Sequence, residues 1–293
     1  MKQAFLILAH KNPEQLERLV TYLVNKDCMV LIHIDQKSIT EFNDFRKKYA
    51  SYDRIRIHSE YKVYWGSFNQ IRASHLLLEE SLKHFKFDYV HLISGQDLPV
   101  KKMDELNEFL LKGNGQDFVH VFNSENNNSW SGDGGIDRMR LYWITDYPDS
   151  LKFVFSKLNV LIHLFQRTFK LFRKISFKIN GGTNWFSLSQ ATAKEVVSFV
   201  NKNPDFLKRF KNTRCADEIF LASILLNAGL ENKVNSNYLR SIDWQTGPEY
   251  PRTFRKEDFE RLKSVENVFF ARKFDEKTDN FIIDQVYKEL LAS

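Results

Sequence analysis

The sequence predicts a single α/β domain built on a mainly parallel sheet flanked by helices. Three observations lead there. Short apolar runs alternate with helix-length segments through the first hundred residues. The chain between successive runs is long enough for the crossover helix that parallel neighbours require. Each run also ends in polar residues, as strands do when their carboxyl ends face a ligand.

Residues 5–9 form the first expected strand, an apolar run too short for a signal-peptide core or a membrane span. Asn12-Pro13-Glu14-Gln15 then opens a helix to about residue 25, with proline at the first helical position, where its missing N–H costs nothing. Residues 29–34 are a second apolar strand, closing on His33-Ile34-Asp35. A helix is expected over 39–48, a short strand over 55–57, a longer helix over 68–83 and a fourth strand over 88–93. The turn Ser94-Gly95-Gln96-Asp97-Leu98-Pro99 follows. The strand ends therefore deliver His10, Asp35 and the turn containing Asp97 to one rim. Asp35 resembles the acidic residue that binds a ribose in nucleotide folds. The first turn, Ala9-His10-Lys11-Asn12-Pro13, has no glycine, so a dinucleotide fingerprint or a P-loop is not expected there.

The composition, 43% hydrophobic and 27% charged with only 11 Gly and 6 Pro, is that of a folded protein and excludes a collagenous or wholly disordered chain. Two cysteines, Cys28 and Cys215, cannot make a disulfide scaffold or a Cys-rich zinc site, and a reducing compartment fits best. The net charge is +6, yet residues 151–178 alone hold seven cations and no Asp or Glu, leaving 36 cations against 37 acids elsewhere. That balance argues against a nucleic-acid groove, which needs its cations spread along a track. The same segment holds six phenylalanines, so it reads as a basic aromatic helical insertion within the domain. It either lies on an anionic bilayer or packs as a helix pair with solvated lysines.

In the second half, Asn180-Gly181-Gly182-Thr183-Asn184-Trp185-Phe186 is a glycine pair feeding an aromatic strand. Its glycines suit close approach to a ligand and Trp185 suits stacking on a sugar, or else the run is a tight turn before a buried strand. Asp217 and Glu218 open an apolar helix, where carboxylates suit the helix dipole. A carboxylate at such a mouth, partly desolvated, also suits general base chemistry. Residues 238–244 read as a strand carrying Arg240, and residues 268–275 place Arg272 and Lys273 among aromatics. A cation so flanked needs an anion: a diphosphate, or an ion pair with Asp243 or Asp275. No D-x-D, H-x-x-x-H, H-E-x-x-H or G-x-S-x-G occurs, so no metal site is expected and hydrolase motifs are absent.

Seven blocks, in order, resemble one family. They are Leu6-Ile7-Leu8-Ala9-His10-Lys11 with Pro13; Ile32-His33-Ile34-Asp35 with Lys37-Ser38; Val63-Tyr64-Trp65-Gly66-Ser67; Leu92 to Pro99; Gly182 to Phe186; Asp217-Glu218; and Phe270-Ala271-Arg272-Lys273-Phe274-Asp275. Together they resemble the core-2/I-branching β-1,6-N-acetylglucosaminyltransferases, a family shared with the peptide O-xylosyltransferases. The resemblance implies a GT-A-like nucleotide-diphospho-sugar transferase that inverts the anomeric centre without a metal. It implies Glu218 as catalytic base, Arg240 and Lys273 as the pair neutralising the leaving diphosphate, and Asp35 and Trp65, with His10 beside them, on the nucleotide side. Asp97, Trp185 and the Asp137-Arg138 pair fall to the donor or acceptor sugar. The expected donor is UDP-GlcNAc, with UDP-xylose as the alternative and a noncatalytic glycan- or nucleotide-binding module as the reading of another class. Animal members carry a membrane anchor and several disulfides; this chain starts at its first strand, so the resemblance suggests a bacterial enzyme of surface-polysaccharide synthesis. It is expected in the cytoplasm, with residues 151–178 touching the membrane near a lipid-linked glycan acceptor.

Overall fold

The computed structural model describes residues 1–123 and 135–292. The chain opens with β1 (Gln3–Ala9), α1 (Pro13–Asn25) and β2 (Met29–Ile34), and then continues through α2 (Asn43–Tyr49), β3 (Ile55–His58), α3 (Phe68–His84) and β4 (Tyr89–Ser94). β1 runs parallel to β2 on one side and to β4 on the other, and β2 runs parallel to β3. Both sheet faces are covered. Ala4 and Leu6 enter one core, with Leu31 and Leu92, while Phe5 and Ile7 enter the other, with Ile32 and Ile93. That double burial is why β1 is an unbroken apolar run rather than an alternating one.

α1 buries Leu16, Leu19, Val20 and Leu23 on one stripe, each of which contributes about 1.5–3 kcal/mol when removed from water. Asn12 precedes it in the left-handed region, φ 54°, and makes no side-chain cap. The side chain is engaged elsewhere, donating to Asp275 at 2.9 Å. The helix expected over 39–48 is instead a 3₁₀ stretch, Gln36–Phe42, followed by α2. The Asp35 carboxylate accepts from the Lys37 N–H at 3.0 Å, which starts the tighter turn early.

Beyond β4 come β5 (Asp97–Pro99), α4 (Met103–Lys112), β6 (Asp117–Asn123), α5 (Asp137–Arg140) and α6 (Lys152–Thr168). Then follow β7 (Asn180–Ser189), α7 (Gln190–Lys202), α8 (Pro204–Arg209), α9 (Asp217–Asn227), β8 (Val234–Asn235) and β9 (Arg240–Ile242). The chain ends with α10 (Phe259–Ser264), β10 (Phe270–Arg272) and α11 (Asn280–Gln285). The central sheet has seven strands in the order β3-β2-β1-β4-β7-β6-β8. It is mainly parallel and flanked by helices, as expected; β7 is the exception, antiparallel to both β4 and β6. A second sheet, β5-β10-β9, stands beside it.

The glycine pair lies inside β7 rather than in a turn before it. A Cβ on Gly182 would sit 2.3 Å from the His120 carbonyl oxygen, and one on Gly181 would strike the Phe122 ring at 2.3 Å. These glycines let β6 press against β7 where the register shifts, and no ligand is needed to explain them.

Candidate active site

Because β1, β2 and β4 are parallel, their carboxyl ends share one rim, which carries His10, Asp35 and the turn that leads to Asp97. Asp35 is buried and committed to a neighbouring loop. Its carboxylate pairs with Lys37 at 2.8 Å and accepts from the Val63 N–H at 3.3 Å, while the Lys37 ammonium lies 4.2 Å from the Tyr64 ring centre. Asp35 therefore acts on this rim through the 61–67 loop, and the side chain offered to solvent is Trp65, 74% exposed. Gly66, at φ +66°, docks that loop: its carbonyl accepts from the Cys215 N–H at 3.0 Å, and a Cβ there would meet Cys215 Sγ at 3.2 Å.

The cations gather at the other end of the rim. Lys11 pairs with Asp275 at 2.6 Å. Arg272 stands 3.4 Å from the Asp97 carboxylate and stacks over Trp185 at 4.2 Å, and its Nη1 makes no hydrogen bond. Lys273 is half-buried, and among the described residues its ammonium has no acidic partner. Burial first, then the charges of Lys11 and Arg272, lower its pKa, with Asp275 and Glu249 opposing. The backbone is fixed regardless, since the Lys273 carbonyl accepts from the Phe254 N–H at 2.8 Å. His10 lies in the same field. Desolvation and then Lys11 lower its imidazole pKa, with Lys273 and Lys37 adding to this and Asp35 opposing.

Arg240 lies beneath this rim rather than on it. It is 4% exposed, and its guanidinium donates to Ser187 Oγ at 2.8 Å and to the carbonyls of Phe186 at 2.5 Å, Leu92 at 3.2 Å and Tyr238. Burial lowers its pKa to about 9. The ion pairs expected for it do not form either: Asp243 pairs with Arg261 at 2.7 Å and Asp275 with Lys11. Backbone carbonyls hold this arginine between the two sheets.

Asp217 and Glu218 open α9, where neither caps the helix through its side chain. Asp217 accepts from Gln70 at 2.9 Å, and burial, reinforced by Glu218, raises its pKa to about 7. Glu218 is 42% exposed, and its Oε2 is held by the buried Arg138 at 2.5 Å. Oε1 makes no hydrogen bond among the described residues. Asp137 turns the other way and pairs with Arg167 of α6 at 2.8 Å. Arg214, just before α9, reaches toward both Trp65 and Trp143.

Residues 3–265 match the Core-2/I-branching enzyme family. The chain belongs to that family. It is 21% identical to a xylosyltransferase of Ciona intestinalis over 96% of this chain and 33% of that protein. It is 23% identical to xylosyltransferase 2 of Rattus norvegicus, again over 96% of this chain and 33% of that one. The chain thus spans about a third of the length of these relatives. Among solved structures, a putative glucose-1-phosphate thymidylyltransferase from Bacillus anthracis aligns at 10% identity and TM-score 0.37, covering 80% of this chain and 85% of that one.

Within this family member, the 61–67 loop joins the two halves of the site. Its Val63 N–H reaches Asp35 and its Gly66 carbonyl holds the turn before Glu218. No hydrogen bond or ion pair among the described residues links Glu218 directly to Arg240 or Lys273. Trp185 connects to the cations through Arg272, and Asp97 positions that same arginine. From the sequence, Arg272 shares with Lys273 the expectation of an anionic partner, a diphosphate or Asp243 or Asp275; its observed partners, Asp97 and Trp185, lie far off in the chain. The Arg138–Glu218 and Gln70–Asp217 contacts span 80 and 147 positions and had no local signature. Among the described residues, no three His, Cys, Asp or Glu side chains gather where a metal ion would be held.

Proposed function

We propose that the chain is an inverting glycosyltransferase that moves a sugar from a UDP-sugar to a glycan hydroxyl in one displacement, without a metal ion. The observation that carries this reading is the Lys273 ammonium, kept half-buried in the field of Lys11 and Arg272 and, among the described residues, in no ion pair. A cation so placed is complementary to an anion, and a leaving diphosphate supplies one. Lys273 and Arg272 face the charge that develops as the bond from the anomeric carbon to the β-phosphate oxygen breaks and its electron pair departs with UDP. Arg240 supports both from beneath, acting as a positioning residue for β9 and β10.

The acceptor hydroxyl gives its proton to Glu218 Oε1 while its oxygen attacks the anomeric carbon from the face opposite UDP, which inverts that centre. Arg138 on Oε2 keeps the carboxylate aimed. A second carboxylate nucleophile has no role in this route. Trp65, Asp35 and His10 serve the nucleotide, and Trp185 a sugar face. The donor read first is UDP-GlcNAc, giving a β-1,6 branch. UDP-xylose is the second reading, favoured by the relatives that bear the name xylosyltransferase. Residues 151–178 bring the enzyme to a membrane-borne acceptor.

A donor screen tests the reading: UDP release from UDP-GlcNAc and UDP-xylose with a panel of glycan acceptors, with and without EDTA. Turnover with one donor, insensitive to EDTA and lost in Glu218→Gln, is the expected result. No release from any donor removes the transferase assignment, and strong EDTA inhibition removes the metal-free mechanism.

A further inference from the structure

Helix α6 is inside out. The side chains it turns toward the protein are polar. Asn159 exchanges hydrogen bonds with the Ile144 N–H and carbonyl at 2.9 and 3.1 Å; Gln166 does the same with the Tyr142 N–H and the Leu171 carbonyl, at 2.9 and 2.8 Å; and His163 packs on Trp143. Asn159 and Gln166 are the buried residues of this helix. Phe155, stacked on Tyr147, is an apolar exception; most of the other apolar side chains point away from the protein, with Phe153 70%, Leu161 62% and Leu164 63% exposed, and Val154, Val160 and Phe165 beside them. The apolar face continues past the helix through Phe169 and Leu171. A water-exposed helix with this polarity leaves a large apolar patch unpartnered, which soluble surfaces rarely do.

The charges around that face select what covers it. Lys152, Lys157, Lys170, Lys174 and Lys178 are exposed and have no acidic partner among the described residues, and 151–178 contains no Asp or Glu. Arg167 pairs with Asp137 at the surface, and the half-buried Arg173 donates to the carbonyls of Arg209 and Asn212. The Lys157 ammonium lies over the Phe153 ring at 4.2 Å, an aliphatic stem along the apolar face with its charge at the edge. An apolar face edged by cations fits a bilayer whose headgroups are anionic. No helix among the described residues is long and apolar enough to cross a membrane, and the 17 residues of α6 fit one lying in the interface.

We infer that α6 and the turn after it seat this protein on an anionic membrane with the Phe153, Leu161 and Leu164 face buried among the lipids. The inference deepens the reading of the chain as a transferase with a membrane-borne acceptor, and rests on it for that acceptor. The geometry links the two: Trp143 and Asp137, which hold α6, bracket the short helix whose Arg138 grips Glu218. The base and the membrane face therefore belong to one packed unit, and the acceptor hydroxyl is expected on a glycan carried by a lipid.

The test is sedimentation of the full chain with vesicles of phosphatidylcholine alone and with added phosphatidylglycerol, at low and high salt. Binding is expected to the anionic vesicles, to weaken with salt, and to fall at least about tenfold in the combined variant Phe153→Ser, Leu161→Ser, Leu164→Ser. All three positions are exposed, so the variant keeps its circular dichroism spectrum and its UDP release with a soluble acceptor. Equal binding by parent and variant, or no binding by the parent, overturns the inference. So does light scattering that finds a dimer which the variant dissolves, since a second copy of the chain then covers the face. UDP release with a soluble acceptor is read separately, so loss of the transferase reading and loss of the membrane reading are distinguishable.

Discussion

Arg240 and Lys273 are both cations near the carboxyl end, but one is buried on hydrogen-bond acceptors and the other is half-buried, and a pair of substitutions separates the roles proposed for them. Arg240→Lys keeps the charge and removes the fork. One ammonium cannot serve the carbonyls of Phe186, Leu92 and Tyr238 together, whereas the Ser187 hydroxyl keeps His91 as a partner at 2.7 Å. Two orphaned buried acceptors at about 1–3 kcal/mol each predict a loss of about 2–6 kcal/mol in urea unfolding. The affinity of the folded fraction for UDP should change little. Lys273→Met removes an ammonium that makes no ion pair among the described residues, so stability should stay within about 0.5 kcal/mol. UDP binding, measured by calorimetry, should weaken about 10–100-fold, the worth of a hydrogen bond to a charged group. An Arg240→Lys protein as stable as the parent but unable to bind UDP would refute the reasoning, as would a Lys273→Met protein with undiminished affinity.

Other outcomes follow from the same geometry. Glu218→Gln should lower UDP release by about 10²–10⁴-fold while leaving UDP affinity intact, because only the proton transfer is lost. The Asp217 carboxyl is raised to about 7 from 3.8. A raised carboxyl favours the folded state below its unfolded value, and that contribution is lost as pH climbs through the folded one. Stability should therefore decline between about pH 4 and 7, by at most about 4 kcal/mol, and Asp217→Asn should flatten the slope in urea melts across that window. Arg138→Met should leave Glu218 unheld, lowering turnover more than UDP affinity, as measured by UDP release and calorimetry side by side.

Much of the architecture was legible in the chain. Residues 29–34 appear as β2 with those bounds, Pro13 starts α1, and Asp217 starts α9. These elements are specified by local patterns, a run of buried apolar residues or a proline and acids at a helix start, and local patterns survive folding when both sheet faces are covered. The early start of the 3₁₀ turn Gln36–Phe42 was not legible, because it depends on where one carboxylate points.

The sequence by itself determined the strand ends that make the rim, the acidic start of the α9 helix, and a basic aromatic segment of unusual charge. Which of these charges are engaged by partners became visible only in three dimensions. Arg240 and Lys273 look alike in the chain, yet four acceptors, from β7, β4 and Tyr238 just before β9, surround the Arg240 guanidinium, while among the described residues the Lys273 ammonium has no acidic partner. The polar side of α6 turned inward for the same reason. Hydrogen-bond partners come from residues distant in sequence, and burial makes those partners, rather than residue type, set whether a charge is structural or available.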